Sequence, residues 1–219
     1  MRPQIRHLRH TILATLAVAL CALPTAAAQA SDEVPDGAVV VPAYGNLLGE
    51  VWAQLYSLPV DENPLAGNGD PCLRAGHNVI QAVGGGPCTI TQGTALTLGF
   101  GTAWSNVEDP FPQDAAAQRA VALAFDQANL VEIHVTADDG PRVDIRQPRF
   151  EIFSPQRTVQ LPEDNILGVD AQTVTLTAHA WAAVVRNLAP GQHTIVGEAL
   201  LADGSTYTVP HIITVIPGG

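Results

Sequence analysis

The chain contains no lysine: all ten of its basic residues are arginine, against 21 acidic ones. Arg2, Arg6 and Arg9 stand near the start, so from residue 31 onward seven positive side chains face 21 negative ones, a formal charge of −14. A surface of that sign repels polyanions, which speaks against nucleic acid and anionic lipid as partners and favours solubility. Aromatics make up only 5% of the residues, so each large ring is expected to be needed for packing. Internal repeats, heptads and low-complexity linkers are missing, which removes solenoids and coiled coils. No long apolar run follows the N-terminal one, so no membrane span is expected there.

That N-terminal run is informative. Arg2, Arg6 and Arg9 lead into an apolar stretch at 11–23, and Ala28-Gln29-Ala30 closes it. A positive n-region, an h-region too short for a bilayer and a small-x-small site read as a secretory signal peptide over 1–30, cleaved ahead of Ser31. Leu20 before Cys21 is not the small residue of a lipoprotein box, so no lipid anchor is expected. The remainder, 31–219, is long enough for one sizeable core and reads as a single secreted or extracytoplasmic domain, in the cell envelope or outside it. It keeps two cysteines, Cys72 and Cys88, for which a disulfide is the default in an oxidising compartment. Such a bridge restricts the unfolded chain by roughly 3 kcal/mol. A redox pair would call for Cys-x-x-Cys spacing or a basic surrounding, and only Arg74 and His77 are near in sequence.

Apolar residues at three- and four-residue steps predict a helix over 46–58, with Asn46 as N-cap and Pro59 as stop. A second helix fits 114–128, capped by Asp114 and burying Val121, Leu123, Ala124 and Phe125. Short segments rich in Val, Ile and Thr predict strands at 77–83, 89–91, 94–100, 130–136, 142–145, 150–153, 173–185, 193–201 and 206–216. Asp138-Asp139-Gly140-Pro141 and Ala202-Asp203-Gly204-Ser205 mark turns between them. Many short strands without alternating helices predict a mainly β fold: an antiparallel two-sheet β-sandwich, immunoglobulin-like or jelly-roll-like, with two short α-helices.

Several segments along the chain are distinctive in composition. Glu50-Val51-Trp52-Ala53-Gln54, Asn63-Pro64-Leu65, Cys72, Gly84-Gly85, Cys88-Thr89-Ile90 and Trp104-Ser105-Asn106 are joined by the run at 161–168, Trp181, the run at 188–195 and Tyr207. In these the chain resembles a family of secreted bacterial proteins with no assigned function. The resemblance spans nearly all of 31–219 and implies one exported domain with a signal peptide and one disulfide. The chain departs from that pattern at Ala178-His179-Ala180, where such proteins favour an acidic residue, glycine and an aromatic before the tryptophan.

Motifs that carry chemistry are few. Gly-x-Ser-x-Gly is absent, and Ser57, Ser105, Ser154 and Ser205 sit in or beside turns, where hydroxyls satisfy backbone groups. The histidines His77, His134, His179, His193 and His211 lack metal-ligand spacing, although His134, His179 and His193 can meet across strands of a sandwich. The acidic loop holding Asp61, Glu62, Asn63, Asn68 and Asp70, and the turn at Asp138 and Asp139, have no calcium-loop register and are explained by turn chemistry. Arg142, Arg146, Arg149 and Arg157 form a basic stretch that fits either an acidic partner or solvated ion pairs.

One loop stands out: Trp104, Asn106, Glu108 and Asp109 combine an aromatic face with an amide and two carboxylates, as a ligand lip does. The alternative is that Trp104 and Phe111 anchor the strand-to-helix connection. No residue is assigned a catalytic or metal-ligating role, and no cofactor is implied. The expected function is therefore a non-enzymatic extracellular binding or structural module with an unknown extracellular ligand or protein as partner. The alternatives are an extracellular hydrolase acting on a polymer and a metal-binding secreted protein.

Overall fold

The structure, a computed structural model, describes residues 37–218, so the signal-peptide reading of 1–30 lies outside the described residues. Strand β1 (Val39–Pro42) leads into helix α1 (Gly45–Ser57). Four strands follow, β2 (Cys72–Gly76), β3 (Val79–Ala82), β4 (Gly86–Thr91) and β5 (Ala95–Ser105), and then helix α2 (Ala115–Asn129). The chain continues through β6 (Leu130–Ala137), β7 (Val143–Asp144), β8 (Glu151–Phe153) and β9 (Arg157–Gln160) to β10 (Thr173–Arg186), β11 (Gly191–Leu201) and β12 (Thr206–Ile216). The expected content, mainly strands with two α-helices, is what the structure contains. Strands β1, β2 and β9 are additions: each is only four or five residues long, and β2 has no β-branched residue. Among the described residues no helix is long and apolar enough to cross a membrane.

The strands form two sheets. In the first the order is β1-β10-β5-β3-β2, with β8 and β9 also pairing with β10; in the second it is β4-β12-β11-β6-β7. The pairing is mixed rather than purely antiparallel, since β3 runs parallel to β5 and β4 parallel to β12. Both parallel contacts arise at one place. The chain leaves β3 for β4 through Val83-Gly84-Gly85, where Gly84 and Gly85 adopt φ of 69° and 82°, and this crossing moves it from one sheet to the other. The disulfide spans the same edge, tying Cys72 of β2 to Cys88 of β4 with a Cα–Cα distance of 5.7 Å.

Inward residues of both sheets make one core: Leu96, Leu98, Trp181, Ala183 and Val185 meet Ile133, Val135, Ile195, Ile213 and Val215. The period-two pattern of the second sheet follows from the pleat, and it puts His211 in the inward row with Val209, Ile213 and Val215. Strand β10 is buried on both faces, which explains its near-continuous apolar run. Its Trp181 side points at the second sheet, whereas Ala180, Ala182 and Val184 point the other way, toward Ala43 and Leu48.

The helices cover what the sheets leave. Helix α1 buries Val51, Leu55 and Tyr56; it begins after Tyr44, which makes no side-chain cap, rather than at Asn46. Helix α2 is capped as expected, Asp114 accepting from the Ala117 N–H at 2.8 Å. Its buried stripe is different from the expected one: Gln118, Ala122 and Asp126 face β5 and β10, while Phe125 is exposed. An apolar count misplaces that face because two of its three buried residues are polar.

Candidate functional site

Strand β5 outruns its neighbour. Strand β3 pairs with it only from Ala95 to Thr97, and β5 continues to Ser105. The direction of its backbone groups beyond that point follows from β10. The Ala43 N–H donates to Ala182 C=O at 3.1 Å and the Ser154 N–H to Ala178 C=O at 2.9 Å, so even-numbered residues of β10 bond toward β1 and β8. Odd-numbered ones therefore bond to β5, where Ala183 and Trp181 lie opposite Leu98 and Phe100. By alternation, Gly99 and Gly101 turn their N–H and C=O groups to the open side.

Below that edge lies a cavity of about 210 Å³. Helix α1 walls it with Leu47, Val51, Trp52 and Leu55, and β12 with Tyr207, Val209 and His211. Phe100 lies against Gly197 and meets Tyr207 edge-on at 6.3 Å, so these rings close one end. Tyr44 and Tyr207, 63% and 53% exposed, stand at the cavity's rim. No Asp, Glu, Lys or Arg lines it. The bare floor has a steric cause: a Cβ on Gly99 would come within 2.9 Å of the Ala182 Cβ, and one on Gly101 within 2.6 Å of the Ala180 Cβ.

Gln81, Thr97 and His211 are polar members of the lining, and His211 is the titratable one that is buried. It is 3% exposed, and its Nδ1 has no hydrogen-bond partner. Desolvation pushes its pKa down to about 4, so the ring is neutral at physiological pH.

A second polar centre lies between α2 and the first sheet. His179 Nδ1 contacts Asp126 Oδ2 at 2.7 Å and its Nε2 faces Glu151 Oε1 at 3.3 Å; Asp126 Oδ2 also accepts from the Thr102 N–H at 3.1 Å. The imidazole lies 4.5 Å from the Trp181 ring, edge to face, and 4.9 Å from Phe153. His179 and Asp126 are buried, so the trio acts as a fastener that holds α2 to β5 and β10. The two carboxylates address opposite nitrogens of one ring and share no coordination point. Among the described residues no group of three or more His, Cys, Asp or Glu side chains is arranged to hold a metal ion.

The loop singled out from sequence is built into the scaffold. Glu108 Oε2 accepts from the Ser105 N–H and Oγ–H at 2.8 and 2.7 Å and from the Tyr56 hydroxyl at 3.0 Å. Burial, then the Glu108 charge, raises the Tyr56 pKa, so that hydroxyl stays a donor. Asn106 Oδ1 accepts from the Thr175 N–H at 2.9 Å, and the Trp104 indole N–H donates to Asp109 C=O at 3.1 Å while its ring rests on Phe125. Asp109 is exposed beside them.

The remaining candidates disperse. His134 and His193 lie in the second sheet and His179 in the first, so the three do not meet. In the acidic loop, Asn63 donates to Leu55 C=O, Asn68 to Val60 C=O, and Asp70 accepts from the Cys72 N–H. Asp138 accepts from the Thr194 N–H and contacts His193 Nδ1 at 2.7 Å. Of the basic stretch, Arg142 pairs with Glu198, while Arg146 and Arg149 lie over the rings of Trp181 and Phe150.

Sequence reasoning missed the cavity. The signal was Gly99-x-Gly101 inside a strand pattern, since glycine there marks close approach of another backbone or a ligand. Comparisons with protein families, with curated proteins and with solved structures found no match for this chain.

Proposed function

We propose that this protein is a non-enzymatic extracellular binding module whose ligand enters the apolar cavity between α1, the free edge of β5 and β12. Export by a leader over 1–30, kinship with the secreted bacterial family it resembles and an immunoglobulin-like or jelly-roll-like sandwich belong to the same proposal. The observation that carries the reading is an open strand edge above an uncharged cavity of about 210 Å³. Proteins normally cover or charge such edges, because unpaired backbone groups beside apolar walls lose their hydrogen bonds to water. A concave, mostly apolar hollow with a few polar groups is also the usual form of a small-ligand site.

Benzene and indole are suitable probes, followed by methyl NMR of the purified protein. Resonances of Leu47, Val51, Leu55 and Val209, which line the cavity, are expected to shift on titration while those of Ile133, Ile145 and Val174 stay in place. No shift at millimolar probe, or shifts spread equally over both sets, would refute the assignment of the site.

A further inference from the structure

We infer that the occupant is an extended peptide segment, which adds a strand to β5 at Gly99 and Gly101 and places one bulky uncharged side chain in the cavity. This rests on the reading of the cavity as a ligand site and specifies what fills it.

Three observations select a peptide over other apolar ligands. First, the outward N–H and C=O groups of Gly99 and Gly101 make no backbone hydrogen bond outside the β5–β10 ladder. Their residues lie two apart on a strand, roughly 6.7 Å along its axis, the repeat at which a neighbouring strand presents its own donors and acceptors. A hydrocarbon chain or a fused-ring molecule offers no such row, so it would leave these groups unpaired and dry. An added strand pairs them all.

Second, the cavity takes one side chain. At about 210 Å³ it exceeds a hollow of roughly 150 Å³, which holds benzene, by less than one further ring. One aromatic or branched side chain fits, and the strand pleat sends its two neighbours to the opposite face.

Third, the lining carries no formal charge. A carboxylate or phosphate headgroup finds no counter-charge here, whereas an uncharged side chain needs none.

The test uses capped pentapeptides Ac-Thr-Val-X-Val-Thr-NH2 with X as Gly, Leu, Phe or Tyr, titrated calorimetrically into the purified protein. Leu, Phe and Tyr at X are expected to bind at least tenfold more tightly than Gly. For the Phe peptide, N-methylating the alternate amides that face β5 is expected to weaken binding tenfold or more, and N-methylating the other set less than twofold. All changes are made in the peptide, so folding of the protein is not in play. Equal affinity for Phe and Gly, or equal effects of the two methylation sets, overturns the proposal. Benzene reaching the cavity while no peptide binds would overturn the peptide and keep the ligand site. Failure of both probes removes both readings.

Discussion

His211 makes stability depend on pH with a definite sign and size. Its folded-state pKa lies at about 4, against an ordinary value of 6.5, because burial strips water from the charged ring and no acidic group lines the cavity beside it. The unfolded chain therefore takes up the proton first as pH falls. The stabilisation is fully present above pH 6.5, declines between 6.5 and about 4, and levels off below. At 1.36 kcal/mol per pH unit, the interval from 6.5 to about 4 corresponds to about 3 kcal/mol. A His211→Leu variant cannot titrate there, so the difference in unfolding free energy between the two proteins is expected to change by about 3 kcal/mol from pH 7 to pH 4. Urea unfolding at half-unit pH intervals, with the m-value checked for constancy, reads that difference directly and cancels the carboxylates common to both. Curves that run parallel across the interval, or a His211 ring resonance titrating above pH 6, would refute the burial argument.

Asp126→Ala strips the His179 ring and the Thr102 N–H of their shared acceptor, and is expected to cost about 3–5 kcal/mol in urea unfolding. Asp126→Asn, which retains an acceptor oxygen, should lose less than half of that, and equal losses would contradict the fastener role. Replacing Cys72 and Cys88 together by serine removes the cross-link between β2 and β4 and should lower stability by roughly 3 kcal/mol; thiol titration of the native protein should find neither of these two sulfurs free. His193 works in the opposite sense from His211. Burial lowers its pKa, but the Asp138 carboxylate and the Ala189 carbonyl outweigh that and raise it. Its contribution is full below pH 6.5 and disappears as pH rises through the folded value, so His193→Gln should cost up to about 1 kcal/mol at pH 5.5 and less at pH 8.5.

Much of the architecture was legible because local chemistry and tertiary packing agree. Asp114 caps α2 where a cap was expected, and the alternation of Ile133 and Val135 in β6 puts both in the core. Cys72 and Cys88 are bonded to each other. Legibility failed where polar residues do the packing. The stripe Gln118, Ala122 and Asp126 has helical spacing, but only its contacts show it to be the buried one: Gln118 donates to Thr175 C=O and accepts from Gln156, and Asp126 meets His179. The loop from Trp104 to Asp109 misled for the same reason. Carboxylate and amide groups that look available in a sequence are engaged with Ser105, Tyr56 and Thr175, partners that only the fold brings near. Parallel pairing of β3 with β5 leaves no local trace at all, since it depends on the crossover through Gly84 and Gly85.

The position of the cavity follows from β10. That strand carries alanine at 178, 180 and 182 on the face turned to α1, which lets the backbone of β5 approach so closely that only glycine fits opposite Ala182 and Ala180. Glycine inside a strand often marks a place where another backbone or a ligand comes close. Strand β3 leaves after three paired residues, and the hollow opens where it departs. On the opposite face the same stretch of β10 carries His179 and Trp181, whose bulk is accommodated by Asp126 of α2 and by the Arg146 guanidinium 3.5 Å from the indole centroid. Small residues on one side and large ones on the other thus divide the two duties of one strand. The Trp181 face fixes the helix and the second sheet, and the alanine face leaves β5 bare. Enlarging the alanine face should close the cavity without touching the fastener: Ala182→Val is expected to press on Gly99 and weaken probe binding while the His179 ring resonances stay unchanged. Loss of the His179 environment in that variant would show that the two faces of β10 are not independent.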